Sequence, residues 1–147
     1  TLTICLSKGM GTPLGTVLVG KKELMKNAMR VRKVLGGGMR QIGFMAAAGL
    51  YAFENHIQRL AEDHKKASEI ANVLLQQSYV KKVEPTETNI VIFYLKEGFS
   101  EEKFMNDLQK QNIIISNMGQ GKLRIVTHLD YTEEMHEKFI DTLRKYA

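Results

Sequence analysis

The sequence is poor in the residues that fix small folds by chemistry: of its 147 residues one is cysteine, two are proline and none is tryptophan. The lone Cys5 excludes an internal disulfide and fits a reducing, cytoplasmic setting, which is the expected location. No apolar run approaches the roughly 20 residues a membrane helix needs, and no signal-peptide pattern opens the chain. A soluble protein is therefore expected. No phosphate loop or dinucleotide fingerprint is present, since GQGKL at 119–123 lacks the required spacing. His128 and Asp130 have no further ligand-type residues at a useful spacing, so no metal site is expected.

What is there is an ordinary globular balance, 44% hydrophobic and 25% charged, with a formal net charge of +5. The excess of lysine and arginine is scattered, without aromatic residues interleaved in a basic stretch, which argues against a nucleic-acid module. The chain opens at Thr1, without an initiator methionine and inside a strand-like run. These features create the expectation that it is the C-terminal part of a longer protein, whose remainder carries the rest of the charge balance.

Periodicity divides the chain into elements. Leu2, Ile4 and Leu6 alternate with Thr3 and Cys5, a strand over 2–6, and a glycine-rich turn from Gly9 to Gly15 leads to a second strand, GTVLVG, antiparallel to the first. Lys21 to Leu35 reads as a helix stopped by Gly36, Gly37 and Gly38. From Met39 to about Gln77 the pattern predicts one long helix, buried at its apolar start and then amphipathic along Ile57, Leu60, Ala61, His64, Ala67, Ile70, Ala71 and Leu74. His56 and His64 on it are taken as packing residues. A boundary between two lobes falls near residues 60–75, with 1–62 in the first domain and 63–147 in the second.

The second domain reads β-β-α-β-β-α, an antiparallel sheet with helices on one face. Its strands are expected at Val80–Val83, Asn89–Leu95, Ile113–Ser116 and Leu123–Thr127, and its helices are opened by Ser100 and Thr132 as N-caps. His128 and Asp130 are expected to close the last strand and cap the helix after it.

Four basic residues stand where chemistry could use them. Lys8, in SKGMGTP, sits where the first strand gives out, an address that holds an amine firmly while glycines let a ligand approach. Taken alone, though, Lys8 reads first as an ordinary solvated surface lysine. In RVRKVLGGGMRQ, Lys33 complements the dipole at a helix end and one glycine caps it. Three glycines and Arg40 beyond them suit close approach of a phosphate. Arg124 alternates with Leu123 and Ile125, on the face it shares with Val126 and His128; turned towards a cleft, its planar fork would grip a carboxylate.

Taken together, SKGMGTPLGTVLVG, RKVLGGGMRQ with AAAGLYAFENHIQRLAEDH, and KLRIVTHLD resemble low-specificity L-threonine aldolase, a fold-type-I pyridoxal phosphate enzyme. The resemblance runs from Thr1 through His64 and resumes in TNIV and RIVTHLD. It implies an α/β fold: the end of a large cofactor domain, formed by a β-hairpin and helices, followed by a small α+β domain with an antiparallel sheet. It implies that Lys8 holds pyridoxal 5'-phosphate covalently, that Lys33 and Arg40 reach a neighbouring subunit's active site near the cofactor phosphate, and that Arg124 binds the substrate carboxylate. The implied reaction cleaves L-threonine or L-allo-threonine to glycine and an aldehyde, in a tetramer built of dimers.

The acid facing the pyridine nitrogen, the ring-stacking side chain and the main phosphate cradle lie upstream in that family, so these residues are expected to be inactive without the missing N-terminal part. A related β-eliminating lyase or aminotransferase-like enzyme of the same fold is one alternative. A basic module for nucleic acid or another anion is the other.

Overall fold

The computed structural model describes residues 1–146. It divides into two compact units, Thr1–Leu60 and Ala61–Ala147. Among the described residues no helix is long and apolar enough to cross a membrane.

In the first unit, β1 (Leu2–Cys5) pairs antiparallel with β2 (Thr16–Val19), Leu2 opposite Val19 and Cys5 opposite Thr16. Helix α1 (Lys22–Val34) follows, then α2 (Gly43–Asn55). Only Leu6, Met10 and Ala52 form a buried apolar cluster, with Ile4, Val17 and Leu60 against it. Helix α1 buries no residue at all.

The expectation of a buried apolar start to the long helix is corrected here. Phe44 is 80% exposed, Leu50 65% and Tyr51 60%. Their apolar character is real, but residues 1–60 contain no second surface that could cover a helix apolar all round.

The single long helix is also corrected. It starts at Gly43, not Met39, and residues 56–59 form a turn that separates α2 from α3 (Leu60–Leu75). No proline or glycine causes the break. Asn55 Nδ2 donates to the carbonyl of Tyr51 at 2.8 Å, satisfying that carbonyl locally, and the His56 ring is drawn to Met10 O, as described below.

In the second unit α3 leads to a four-stranded antiparallel sheet in the order β3 (Val80–Val83), β4 (Ile90–Leu95), β6 (Leu123–Val126), β5 (Ser116–Asn117). Helix α4 (Glu101–Gln109) lies between β4 and β5 in sequence, and α5 (Glu133–Lys145) closes the unit. Alternation sends Val91, Phe93, Leu95, Leu123 and Ile125 into one core with Ala67, Ile70, Leu74, Phe104, Leu108 and Phe139. The predicted stripe on α3 holds at Ala67, Ile70, Ala71 and Leu74, but His64 and Ala61 are exposed while Asp63 is buried. Tyr79, fully buried, donates its hydroxyl to Leu143 O at 2.8 Å and packs against Phe104 and Tyr146.

The caps at Ser100 and Thr132 form as expected: Ser100 Oγ accepts from Lys103 N and Thr132 Oγ1 from Met135 N, each at 3.2 Å. Asp130 does not cap α5. Its own N–H donates to His128 Nδ1 at 3.2 Å, folding the pair into the turn between β6 and the helix. The strand expected at Ile113–Ser116 is displaced to Ser116–Asn117. Helix α4 consumes the backbone before it: Asn112 adopts φ 62 and Ile113 N donates to Leu108 O at 3.0 Å, a left-handed helix stop.

Candidate functional site

Lys8 occupies a turn closed by several hydrogen bonds. Leu6 N donates to Gly15 O, Thr12 N to Leu6 O and Gly11 N to Lys8 O. Thr12 Oγ1 closes a further link to Leu14 O at 3.0 Å. Leu6 and Met10, flanking Lys8, are buried, whereas Lys8 itself is exposed.

The turn is pinned from outside by His56, whose Nδ1 lies 2.6 Å from Met10 O, and the same imidazole meets the edge of Tyr51. The glycines have specific work. A Cβ on Gly9 would stand 3.0 Å from Leu60 Cδ2, and Gly11 adopts φ 69, a conformation that disfavours any other residue. The outcome is a backbone without slack bearing an amine that no side-chain hydrogen bond occupies among the described residues.

Lys33 and Arg40 are both exposed, at and beyond the end of α1. The structure gives the three glycines between them a local role. Gly36 turns the chain at φ 87. Gly37 N donates to Arg32 O at 2.8 Å. A Cβ on Gly37 would meet Arg32 Cγ at 2.8 Å and one on Gly38 would meet Lys33 Cγ at 3.0 Å. The chain thus folds back against the last turn of α1: backbone conformation favours glycine at 36, and close approach favours it at 37 and 38. No hydrogen bond or ion pair brings Lys8, Lys33 and Arg40 together among the described residues. The apolar cavity of this unit is lined instead by residues such as Leu6, Leu14, Met39, Ile42, Leu50 and Phe53.

In the second unit Arg124 stands on β6 opposite Ile92 of β4 and Ser116 of β5, on the sheet face turned away from the core. It lines a groove of ≈ 560 Å³ with Ile114, Val126, Tyr131, Met135 and Lys138 among its walls. Its Nε is buried and has no hydrogen-bond partner among the described residues. A buried donor left unmet costs about 1–3 kcal/mol, so the geometry calls for an acceptor that the described residues do not supply. A carboxylate is the acceptor whose shape matches a guanidinium fork.

Sequence reasoning passed over three residues beside this groove. His136 is buried, with Nε2 2.8 Å from Glu69 Oε2 and Nδ1 3.2 Å from the Tyr131 hydroxyl. Burial pushes the Tyr131 phenol up from its ordinary range, with the Glu133 carboxylate adding to the effect. A histidine among the core-facing positions of a capped amphipathic helix was the available signal.

Residues 1–98 match the sequence profile of the beta-eliminating lyase family. The chain belongs to that family. Membership in the beta-eliminating lyases agrees with similarity to individual proteins. The low-specificity L-threonine aldolase 1 of Arabidopsis thaliana is 38% identical over 135 residues, a match covering 90% of this chain and 38% of that relative.

The chain therefore spans well under half the length of the curated relatives it matches. Among solved structures, serine palmitoyltransferase of Sphingomonas wittichii superposes with a TM-score of 0.73 at 14% identity, over 97% of this chain and 38% of that one. A mutant of C-DES with glycine covalently linked to its PLP cofactor gives a TM-score of 0.56 at 15% identity, covering 71% of this chain and 28% of that one. These likenesses show a shared fold. The expected α/β architecture with antiparallel sheets is the one observed.

Proposed function

We propose that this chain is the C-terminal part of a pyridoxal phosphate-dependent lyase of the low-specificity threonine aldolase type, which cleaves β-hydroxy-α-amino acids to glycine and an aldehyde. On this reading residues 1–62 end the large cofactor domain and 63–147 form the small domain. The partners are the N-terminal part of the same enzyme and further copies in a tetramer, and the location is the cytoplasm. The similarity to a named threonine aldolase over 90% of this chain supports the choice of reaction.

The observation that carries the reading is the bare amine of Lys8 on a turn clamped by Leu6, Met10 and His56. An amine that bonds covalently to a cofactor has to be reachable and immobile together, and this turn is built for both. The residues present thus fit the group. Pyridoxal phosphate, when bound, supplies an electron sink for the pair left on Cα when the Cα–Cβ bond breaks.

The chain's own residues have distinct tasks. Lys8 Nζ would hold the cofactor covalently and, when released from it, could take up or give a proton at Nζ. Arg124 grips the substrate carboxylate through its guanidinium, which lines the groove, and fixes which bond of the substrate lines up for cleavage. Lys33 and Arg40 supply positive charge for the cofactor phosphate at a neighbouring subunit's site.

The test is spectroscopic and uses the full-length protein. Supplied with pyridoxal phosphate it should show a visible absorbance band that Lys8→Ala abolishes, and it should release glycine and acetaldehyde from threonine. Absence of the band would sink the reading. The family's name favours one second reading, a β-elimination. Release of a keto acid and ammonia, in place of glycine, would select it.

A further inference from the structure

Helix α3 presents polar groups three residues apart, at positions 63, 66 and 69, towards the stretch that follows β6. Thr127 Oγ1 donates to Asp63 O at 2.7 Å in a fully buried bond. One helical turn on, Lys66 Nζ donates to Tyr131 O at 2.8 Å, stands 5.5 Å from the centre of the Tyr131 ring and lies 3.4 Å from Glu133. A further turn on, Glu69 meets His136 at 2.8 Å, and His136 meets the Tyr131 hydroxyl at 3.2 Å. The backbone of the turn is closed separately by Tyr131 N donating to His128 O at 2.9 Å. Residues 127–131 are thus fastened to one helix at three successive levels.

Fastening by buried and partly buried polar groups is an expensive way to hold a turn, because a partner left alone, His136 above all, costs more than an apolar replacement would. Leucine or phenylalanine at 69 and 136 would join α3 to α5 as well. What the polar chain adds is direction: His136 bonds at both ring nitrogens, so the Tyr131 ring is held at one end by its hydroxyl and at the other by its backbone. That ring is a wall of the groove containing Arg124, and Thr127 lies three residues after Arg124 on the same strand exit.

We propose that Glu69, His136 and Tyr131 form a positioning chain for the Arg124 carboxylate site, holding the Tyr131 wall and the exit of β6 in the arrangement that receives the substrate carboxylate. The proposal rests on the reading of Arg124 given above. None of the three touches the reacting atoms; they act through Arg124 and the shape of its groove.

The experiment uses the full-length protein with glycine as the probe, its dissociation constant read by calorimetry beside the thermal midpoint and the cofactor absorbance. Tyr131→Phe keeps the ring and removes only the bond to His136. It should weaken glycine about two- to tenfold, the span of one lost hydrogen bond, with KM rising in step while kcat stays within about twofold. Glu69→Ala should do the same, and Glu69→Gln, which keeps an acceptor for the imidazole, should restore most of the affinity.

Arg124→Gln is the reference and should weaken glycine at least tenfold. Unchanged glycine affinity in folded Tyr131→Phe and Glu69→Ala, with Arg124→Gln defective, would overturn the positioning role alone. Unchanged affinity in Arg124→Gln would overturn the carboxylate assignment and this inference with it. A lowered thermal midpoint with intact affinity would reduce the chain to a structural tie.

Discussion

His56 Nδ1 lies 2.6 Å from the carbonyl oxygen of Met10, across 46 residues of sequence. The contact joins the last turn of α2 to the turn that carries Lys8 and accounts for the end of α2 at a place with neither proline nor glycine. Replacing His56 by alanine should release residues 7–11. Amide exchange at Gly11, which donates to Lys8 O, should quicken, and stability should fall by about 1 kcal/mol, the usual worth of one such bond. In the full-length protein the cofactor should dissociate faster while the amino-acid affinity of the loaded form stays unchanged.

Arg124→Ala separates the two halves of the proposed chemistry. It should weaken amino-acid binding at least tenfold, about 1.4 kcal/mol, because the groove loses the one guanidinium among its described lining residues. The absorbance of bound pyridoxal phosphate should persist. Loss of cofactor with retained amino-acid affinity would contradict the assigned role.

Tyr79 gives a pH prediction whose sign is fixed by burial. Its phenol is pushed up from the ordinary value near 10, chiefly by desolvation, with Tyr146 adding to the shift. A group whose folded pKa exceeds its unfolded one contributes stability that is complete below about pH 10 and is lost as pH rises towards the folded value. Urea unfolding should therefore show a steep alkaline loss above about pH 10 that Tyr79→Phe reduces. At pH 7 the same variant should be less stable by about 1 kcal/mol, through the lost bond to Leu143 O.

Sharing of sites between subunits can be read from mixed oligomers. If Arg40 serves a neighbour's cofactor phosphate, subunits bearing Lys8→Ala and subunits bearing Arg40→Ala should partly complement each other, recovering about a quarter of native activity by random assortment. Mixtures no more active than the separate variants would argue that each subunit serves itself.

Most elements were legible because their signals are local. Alternation marked β1, β3, β4 and β6, and the Ser100 and Thr132 hydroxyls announced two helices by a bond only three residues long. The tripeptide Ile113–Ile115 read as strand because three β-branched residues in a row favour one, yet the stop of α4 claimed Asn112 and Ile113 first. The break at 56–59 was invisible because its cause is the distant Met10 carbonyl. At the candidate site, strand alternation put Arg124 on a face with Val126, but nothing local revealed that its Nε would lack a partner.

The division follows the range of the forces. Propensity, periodicity and capping act over a few residues, so composition and order settled the α/β class, the capped starts of α4 and α5 and the placing of Lys8 beyond a strand end. Which carbonyl holds His56, and how Glu69 reaches Tyr131 through His136, depend on groups 46 and 67 residues apart. Such pairings exist only once the chain has closed its core, because each needs a low-dielectric, water-poor setting to outweigh hydration.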